Sequence, residues 1–71
     1  MPRVVIAEDH AIVRDGLRRI LEAHGSTVIG EIGDGLQVLG IVERTKPDVL
    51  LLDLGLPGLH GLDILREELE P

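Results

Sequence analysis

Short apolar runs alternate along this chain with longer stretches of helical periodicity. Val4-Val5-Ile6-Ala7 is a β-branched run of strand length closed by Glu8-Asp9, and it predicts a strand buried on both faces. From about Ala11 to His24, the residues Val13, Leu17, Ile20, Leu21 and His24 recur at helical spacing, while Arg14, Asp15, Arg18, Arg19 and Glu22 take the other face. That pattern predicts an amphipathic helix, supported by Asp15 placed four residues before Arg19. Gly25 stands where a left-handed cap is wanted, and Thr27 to Glu31 reads as a shorter, more polar strand suited to a sheet edge.

Asp34 can cap a second helix, with Gln37 completing an acidic variant of the capping box and Leu36, Val38, Leu39, Ile41 and Val42 forming its apolar face. Lys46-Pro47-Asp48 ends that helix, because proline disfavours helical geometry in the residue before it. Val49-Leu50-Leu51-Leu52 follows as the most hydrophobic strand and is closed by Asp53. Gly55, Pro57, Gly58 and Gly61 punctuate a loop, after which Leu62, Leu65 and Leu69 predict a third helix running to about Glu70. The predicted order is βαβαβα, an α/β arrangement of parallel strands joined by right-handed crossovers.

Two strand orders satisfy that connectivity. Order 1-2-3 has no topological switch, whereas order 2-1-3 makes the first and third strands neighbours and opens a crevice at their carboxyl ends. Glu8 and Asp9 end the first strand and Asp53 ends the third, so order 2-1-3 gathers three carboxylates where such sheets bind ligands. It also puts the polar second strand on an edge. The expectation is therefore a doubly wound sheet of order 2-1-3.

Composition narrows what that crevice serves. At 71 residues the chain is one small domain or a piece of one, and a chain of this size buries only about 60% of its unfolded surface. With no cysteine it has neither disulfides nor a thiolate metal site. A formal charge of -6 argues against nucleic acid or an anionic membrane surface and favours a cation or a basic partner. The absence of Phe, Tyr and Trp removes the platforms that stack bases or sugars. No apolar run reaches the roughly 18 residues of a membrane span and no signal peptide is evident, so a cytoplasmic location is expected.

Two carboxylates about 4 Å apart repel by roughly 4 kcal/mol at an effective dielectric near 20. Three of them in one crevice must protonate, splay or hold a cation. Mg²⁺, which takes one or two carboxylates with waters and phosphate oxygens, suits Glu8, Asp9 and Asp53 together with an exposed carbonyl at the Gly55 turn. Asp53 is then a candidate nucleophile toward a phosphoryl group, giving an aspartyl phosphate. Gly30-Glu31-Ile32-Gly33-Asp34-Gly35 lacks dinucleotide-fingerprint spacing, and turn and capping duties explain it better. His10, His24 and His60 form no metal-ligand pattern; His24 is expected to serve the helix end, and His10, beside the acids, reads as a plain first-turn residue, the alternative being a group that tunes access to them.

Val4 to His10, Val13 to Leu21 and Asp48 to Gly61 closely resemble the receiver domain of bacterial two-component response regulators, in the manner of the NarL/FixJ (LuxR-type) family. An acidic pair, a strand-terminal Asp and a Pro four residues after it carry the resemblance, which covers essentially the whole chain. It implies a flavodoxin-like (CheY-like) doubly wound parallel sheet. It also implies phosphoryl transfer from a sensor histidine kinase to Asp53, with Mg²⁺ bound by Glu8, Asp9, Asp53 and the carbonyl of Gly55. Leu56 stands where Met is common in that loop. Such a receiver is a signalling phosphoacceptor rather than an enzyme, and normally regulates transcription through a C-terminal DNA-binding domain.

Receivers of this kind have five strands and five helices, and the matching part here comprises the first three βα units, as in a receiver truncated after its third helix. A Ser or Thr after the fourth strand and a Lys after the fifth have no counterpart. Lys46 is no substitute: seven residues of extended chain put it about 23 Å from Asp53, at roughly 3.3 Å per residue. The third strand, central in the full fold, would then be an edge, and self-association through its open side is expected. The alternative function is a structural, self-associating fragment that cannot be phosphorylated.

Overall fold

The computed structural model describes residues 1–58 of the 71, so the predicted third helix with Leu62, Leu65 and Leu69 lies outside the described residues, as does His60. The elements are β1 (Arg3–Ala7), α1 (Ala11–Ala23), β2 (Thr27–Ile32), α2 (Val38–Thr45) and β3 (Val49–Leu52), with a 3₁₀ turn at Gly35–Gln37 leading into α2. The three strands form one parallel sheet in the order β2-β1-β3. This is the expected switch-point order, with the polar strand at one edge.

Centrality of β1 follows from its side chains. Val4, Val5, Ile6 and Ala7 are all buried, because alternate residues feed both faces of the sheet. On one face Val5 and Ala7 join Ile32, Val38, Ile41 and Leu56 in the main core, with Leu39, Val42, Leu50 and Leu52 packed around them. On the opposite face Ile6 and Leu17 of α1 line a shared cleft. Gly30 lets α2 close on the sheet: a Cβ there would lie 2.6 Å from Ile41 Cδ1. The β1–β2 register advances by one residue between Val4 and Val5, passing over Ile29.

The end of the sheet remote from the acids is tied by Arg3. Its guanidinium donates to the carbonyls of Lys46 (2.9 Å) and Thr45 (2.7 Å), satisfying acceptors left open at the end of α2. Its backbone N–H donates to Asp48 Oδ2 at 2.7 Å, and Asp48 N–H donates back to the Arg3 carbonyl. Lys46, before Pro47, adopts a left-handed conformation (φ 47°) that ends α2 where expected.

Two expectations need correction. None of the residues of α1 is fully buried, and Val13 and Ile20, assigned to its apolar face, are 50% and 60% exposed. The helix packs on β1 and β2 through one flank, with Leu17 and Leu21 half-buried, and among the described residues no further element covers the other flank. The capping box at Asp34 and Gln37 does not form either. Asp34 Oδ1 accepts from Leu36 N–H at 2.9 Å, an Asx turn that starts the 3₁₀ segment, and the Gln37 side chain makes no cap. Asp15 does pair with Arg19 (2.9 Å), and His24 Nδ1 meets the Ile20 carbonyl at 2.8 Å at the end of α1. No described helix is long and apolar enough to cross a membrane.

Candidate acidic phosphoacceptor site

The sheet register builds the site. Ala7 pairs with Leu52 across β1–β3, and the ladder continues with Asp53 N–H donating to the Ala7 carbonyl at 3.0 Å. On the other side Glu8 N–H donates to the Ile32 carbonyl at 3.0 Å. Both strands thus release their first acids at the same level, at the carboxyl end of the sheet. One ligand atom from each of Glu8, Asp9, His10 and Asp53 lies within 4.8 Å of the others.

The environments of these groups differ. Glu8 is the buried charged residue of the described chain, 7% exposed, whereas Asp9 and His10 lie toward solvent. Glu8 Oε1 accepts from the backbone N–H of His10 (3.2 Å) and meets the His10 ring at Nδ1 (2.8 Å). The Glu8 carbonyl accepts from the Arg14 guanidinium at 2.8 Å, and Arg14 and Arg18 both reach Glu31 on β2. Backbone and side chain of Glu8 are therefore both fixed by the first turn of α1.

Asp53 is held by the turn that follows it. Its Oδ1 accepts from Gly55 N–H at 2.9 Å, and Leu56 N–H donates to its carbonyl at 3.0 Å. The Gly55 N–H is the main cause that holds the Asp53 carboxyl below the ordinary carboxylate range. The nearby charge of His10 acts in the same direction, against desolvation. The Asp53 carboxylate is thus kept ionised although other acids surround it. The loop then docks on the start of the 3₁₀ turn, where Gly35 N–H donates to the Pro57 carbonyl at 2.6 Å. Gly58 sits at φ 87°, and a Cβ there would lie 2.5 Å from Asp34 Oδ1 and 2.9 Å from Leu36 N.

Beside the acids, a cleft of about 260 Å³ is lined by Ile6, Ala7, Leu17, Leu51 and Leu52 with Glu8 and Asp53 at its rim. The structure brings together Glu8, Asp9 and Asp53, as the sequence reading expects, and places Gly55 at the turn beside Asp53. At His10 it sets aside the plain first-turn reading in favour of the alternative of a ring engaged with the acids. As the residue preceding α1 it makes no side-chain cap, and its ring is directed at Glu8 and Asp9 instead. The available signal was its adjacency to the acid pair.

Comparison with known proteins agrees with this geometry. The response regulator receiver domain family matches residues 4–69. The chain belongs to this receiver family. It is 44% identical over 65 residues to the nitrate/nitrite response regulator protein NarP of Escherichia coli (strain K12), covering 90% of this chain and 30% of that protein. It is 38% identical over 69 residues to the transcriptional regulatory protein YhcZ of Bacillus subtilis (strain 168), covering 96% of this chain and 32% of that protein. The crystal structure of a LuxR-family two-component response regulator from Aurantimonas sp. SI85-9A1 superimposes with a TM-score of 0.85 at 32% identity, over 96% of this chain and 51% of that one. The receiver chain thus spans about a third of the length of these curated relatives. Its sheet of order 2-1-3 is the CheY-like receiver arrangement, with three strands among the described residues.

One pH dependence follows. The hydrogen bond to Glu8, with the charges of Asp9 and Glu8 added, raises the His10 pKa above its ordinary 6.5, and desolvation opposes this only in part. The imidazolium therefore stabilises the fold fully below pH 6.5, and that contribution disappears as pH rises through the elevated folded value. NMR titration of the His10 ring is expected to give a midpoint above 6.5 that falls back toward 6.5 in Glu8→Gln. A wild-type midpoint at or below 6.5 would contradict the pairing.

Proposed function

We propose that this chain is the phosphoacceptor part of a two-component response regulator, taking a phosphoryl group from a sensor histidine kinase onto Asp53. The observation that carries the reading is the convergence of Glu8, Asp9 and Asp53 within 4.8 Å at the ends of adjacent parallel strands. The donor set fits Mg²⁺: hard carboxylate oxygens, one of them buried, beside a turn whose Gly55 carbonyl is a candidate further ligand. Bound there, Mg²⁺ supplies charge neutralisation for the carboxylates and the incoming phosphoryl oxygens.

The remaining chemistry belongs to the chain. The Asp53 carboxylate attacks phosphorus, the phosphorus–nitrogen bond to the donor imidazole breaks, and that imidazole leaves with the electron pair. Gly55 N–H orients Oδ1, and the apolar wall of Leu17, Leu51 and Leu52 limits water on one side of the carboxyl. The transferred phosphoryl group stays on the chain after the donor imidazole leaves, so the domain acts as a signalling phosphoacceptor in the cytoplasm and not as an enzyme. Its output is transcriptional control through a DNA-binding domain elsewhere in the regulator, and this acidic part makes no direct contact with nucleic acid.

Self-association through β3 is the second part of the reading. Only the β1 side of β3 is paired among the described residues, and Val49 on that strand is 43% exposed. A second copy pairing there extends the sheet and covers the unpaired backbone groups.

With Mg²⁺ and a small acyl phosphate, the complete regulator is expected to form an acid-labile, hydroxylamine-sensitive adduct, lost to background in Asp53→Asn. Adduct formation in that variant would contradict the assignment. The 71-residue chain alone is expected to label weakly or not at all. Its light-scattering mass at micromolar concentration is expected to exceed one chain, and a mass of one chain would rule out association through β3.

A further inference from the structure

The acidic site contains a donor of a different chemical kind, and this inference rests on the cation-site reading above. His10 precedes α1 at a position that Ser, Thr, Asp or Asn commonly fills to cap a helix, yet its ring makes no cap. Instead Nδ1 lies 2.8 Å from Glu8 Oε1 and 3.2 Å from Asp9 Oδ1. The imidazole is thereby held over the carboxylates, with the short Glu8 contact made from both the ring and the backbone N–H of the same residue. One atom from each of the four side chains lies within 4.8 Å of the others. Opposite donors of an octahedral ion with bonds of about 2.1 Å are about 4.2 Å apart, so all four can surround one ion after sub-ångström adjustment.

Oxygen donors alone favour Mg²⁺, which gains little from imidazole, whereas first-row transition ions bind imidazole nitrogen strongly. We propose that His10 is a nitrogen ligand of this site that shifts its preference from Mg²⁺ toward imidazole-binding divalent ions such as Co²⁺ and Zn²⁺. The Nδ1 proton now facing Glu8 leaves as the metal takes its place. Arg14 keeps the arrangement open: its guanidinium is engaged by the Glu8 carbonyl and by Glu31, so it does not occupy the carboxylates.

The test compares Mg²⁺ and Co²⁺ binding to the 71-residue chain and to His10→Gln by calorimetry, with the visible spectrum of bound Co²⁺ recorded in both. His10 is largely exposed, so the substitution leaves the core intact. His10→Gln is expected to weaken Co²⁺ by about 10-fold or more while Mg²⁺ changes by no more than about twofold, and to alter the Co²⁺ spectrum as a nitrogen donor is lost. Equal weakening of both ions makes His10 a positioning group for the carboxylates, and equal strengthening makes it a competing counter-ion; either result overturns the proposal. So does an unchanged Co²⁺ spectrum. Failure of the underlying site reading looks different: then Asp53→Asn and Asp9→Asn leave binding of every ion unchanged, which overturns the site and the His10 proposal together.

Discussion

Mutual repulsion of carboxylates at the end of a parallel sheet is the constraint on which this structure turns. Parallel pairing of β1 with β3 leaves no freedom in where their terminal acids go. Once Ala7 pairs with Leu52, Glu8 and Asp53 emerge side by side. The surrounding structure manages that charge with local donors: Gly55 N–H on Asp53, and His10 through both backbone and ring on Glu8. Arg14 lies behind the pair on the Glu8 carbonyl. Ordinary loop acids are not so arranged. A site that holds several acids close, keeps one of them ionised and buries another has stored electrostatic energy that a divalent cation releases.

The scaffold supports that convergence at both ends. Val5 and Ala7 lock β1 onto α2 and Leu56, which fixes the acid-bearing end of the strand against the loop after Asp53. At the far end Arg3 ties β1 to the last carbonyls of α2 and to Asp48 before β3. The loop from Asp53 to Gly58 is in turn seated on Gly35 and Asp34, so the turn after Asp53 and the entry to α2 behave as one packed unit. A positive φ at Gly58 is what allows that close approach.

Much of this was legible in the residues. The β-branched run Val4–Ala7 and the apolar run Val49–Leu52 announce buried strands, and the acids that close them select order 2-1-3 over 1-2-3 before any coordinate is known. Asp53, Glu8 and Asp9 come together as that order requires. Periodicity failed for α1, because Val13 and Ile20 show which residues are apolar but not how much of the helix another layer covers. It failed also at Asp34, where a two-residue Asx turn competes with the capping box and wins by starting a 3₁₀ segment. His10 stayed undecided between a plain helix-start residue and a partner of the acids, because its role comes from ring orientation, which spacing alone does not encode.

Receiver membership explains why this arrangement exists, and the physical account stands on whether the acids bind a cation as a group. The most direct measurement is the unfolding midpoint of the chain against Mg²⁺ concentration at constant ionic strength. Binding to the folded state alone raises stability by about 2.7 kcal/mol at a hundredfold excess over the dissociation constant, so the midpoint should climb steadily with Mg²⁺. A midpoint that stays level across that range, with the fold intact, would contradict the claim that these carboxylates form one cation site.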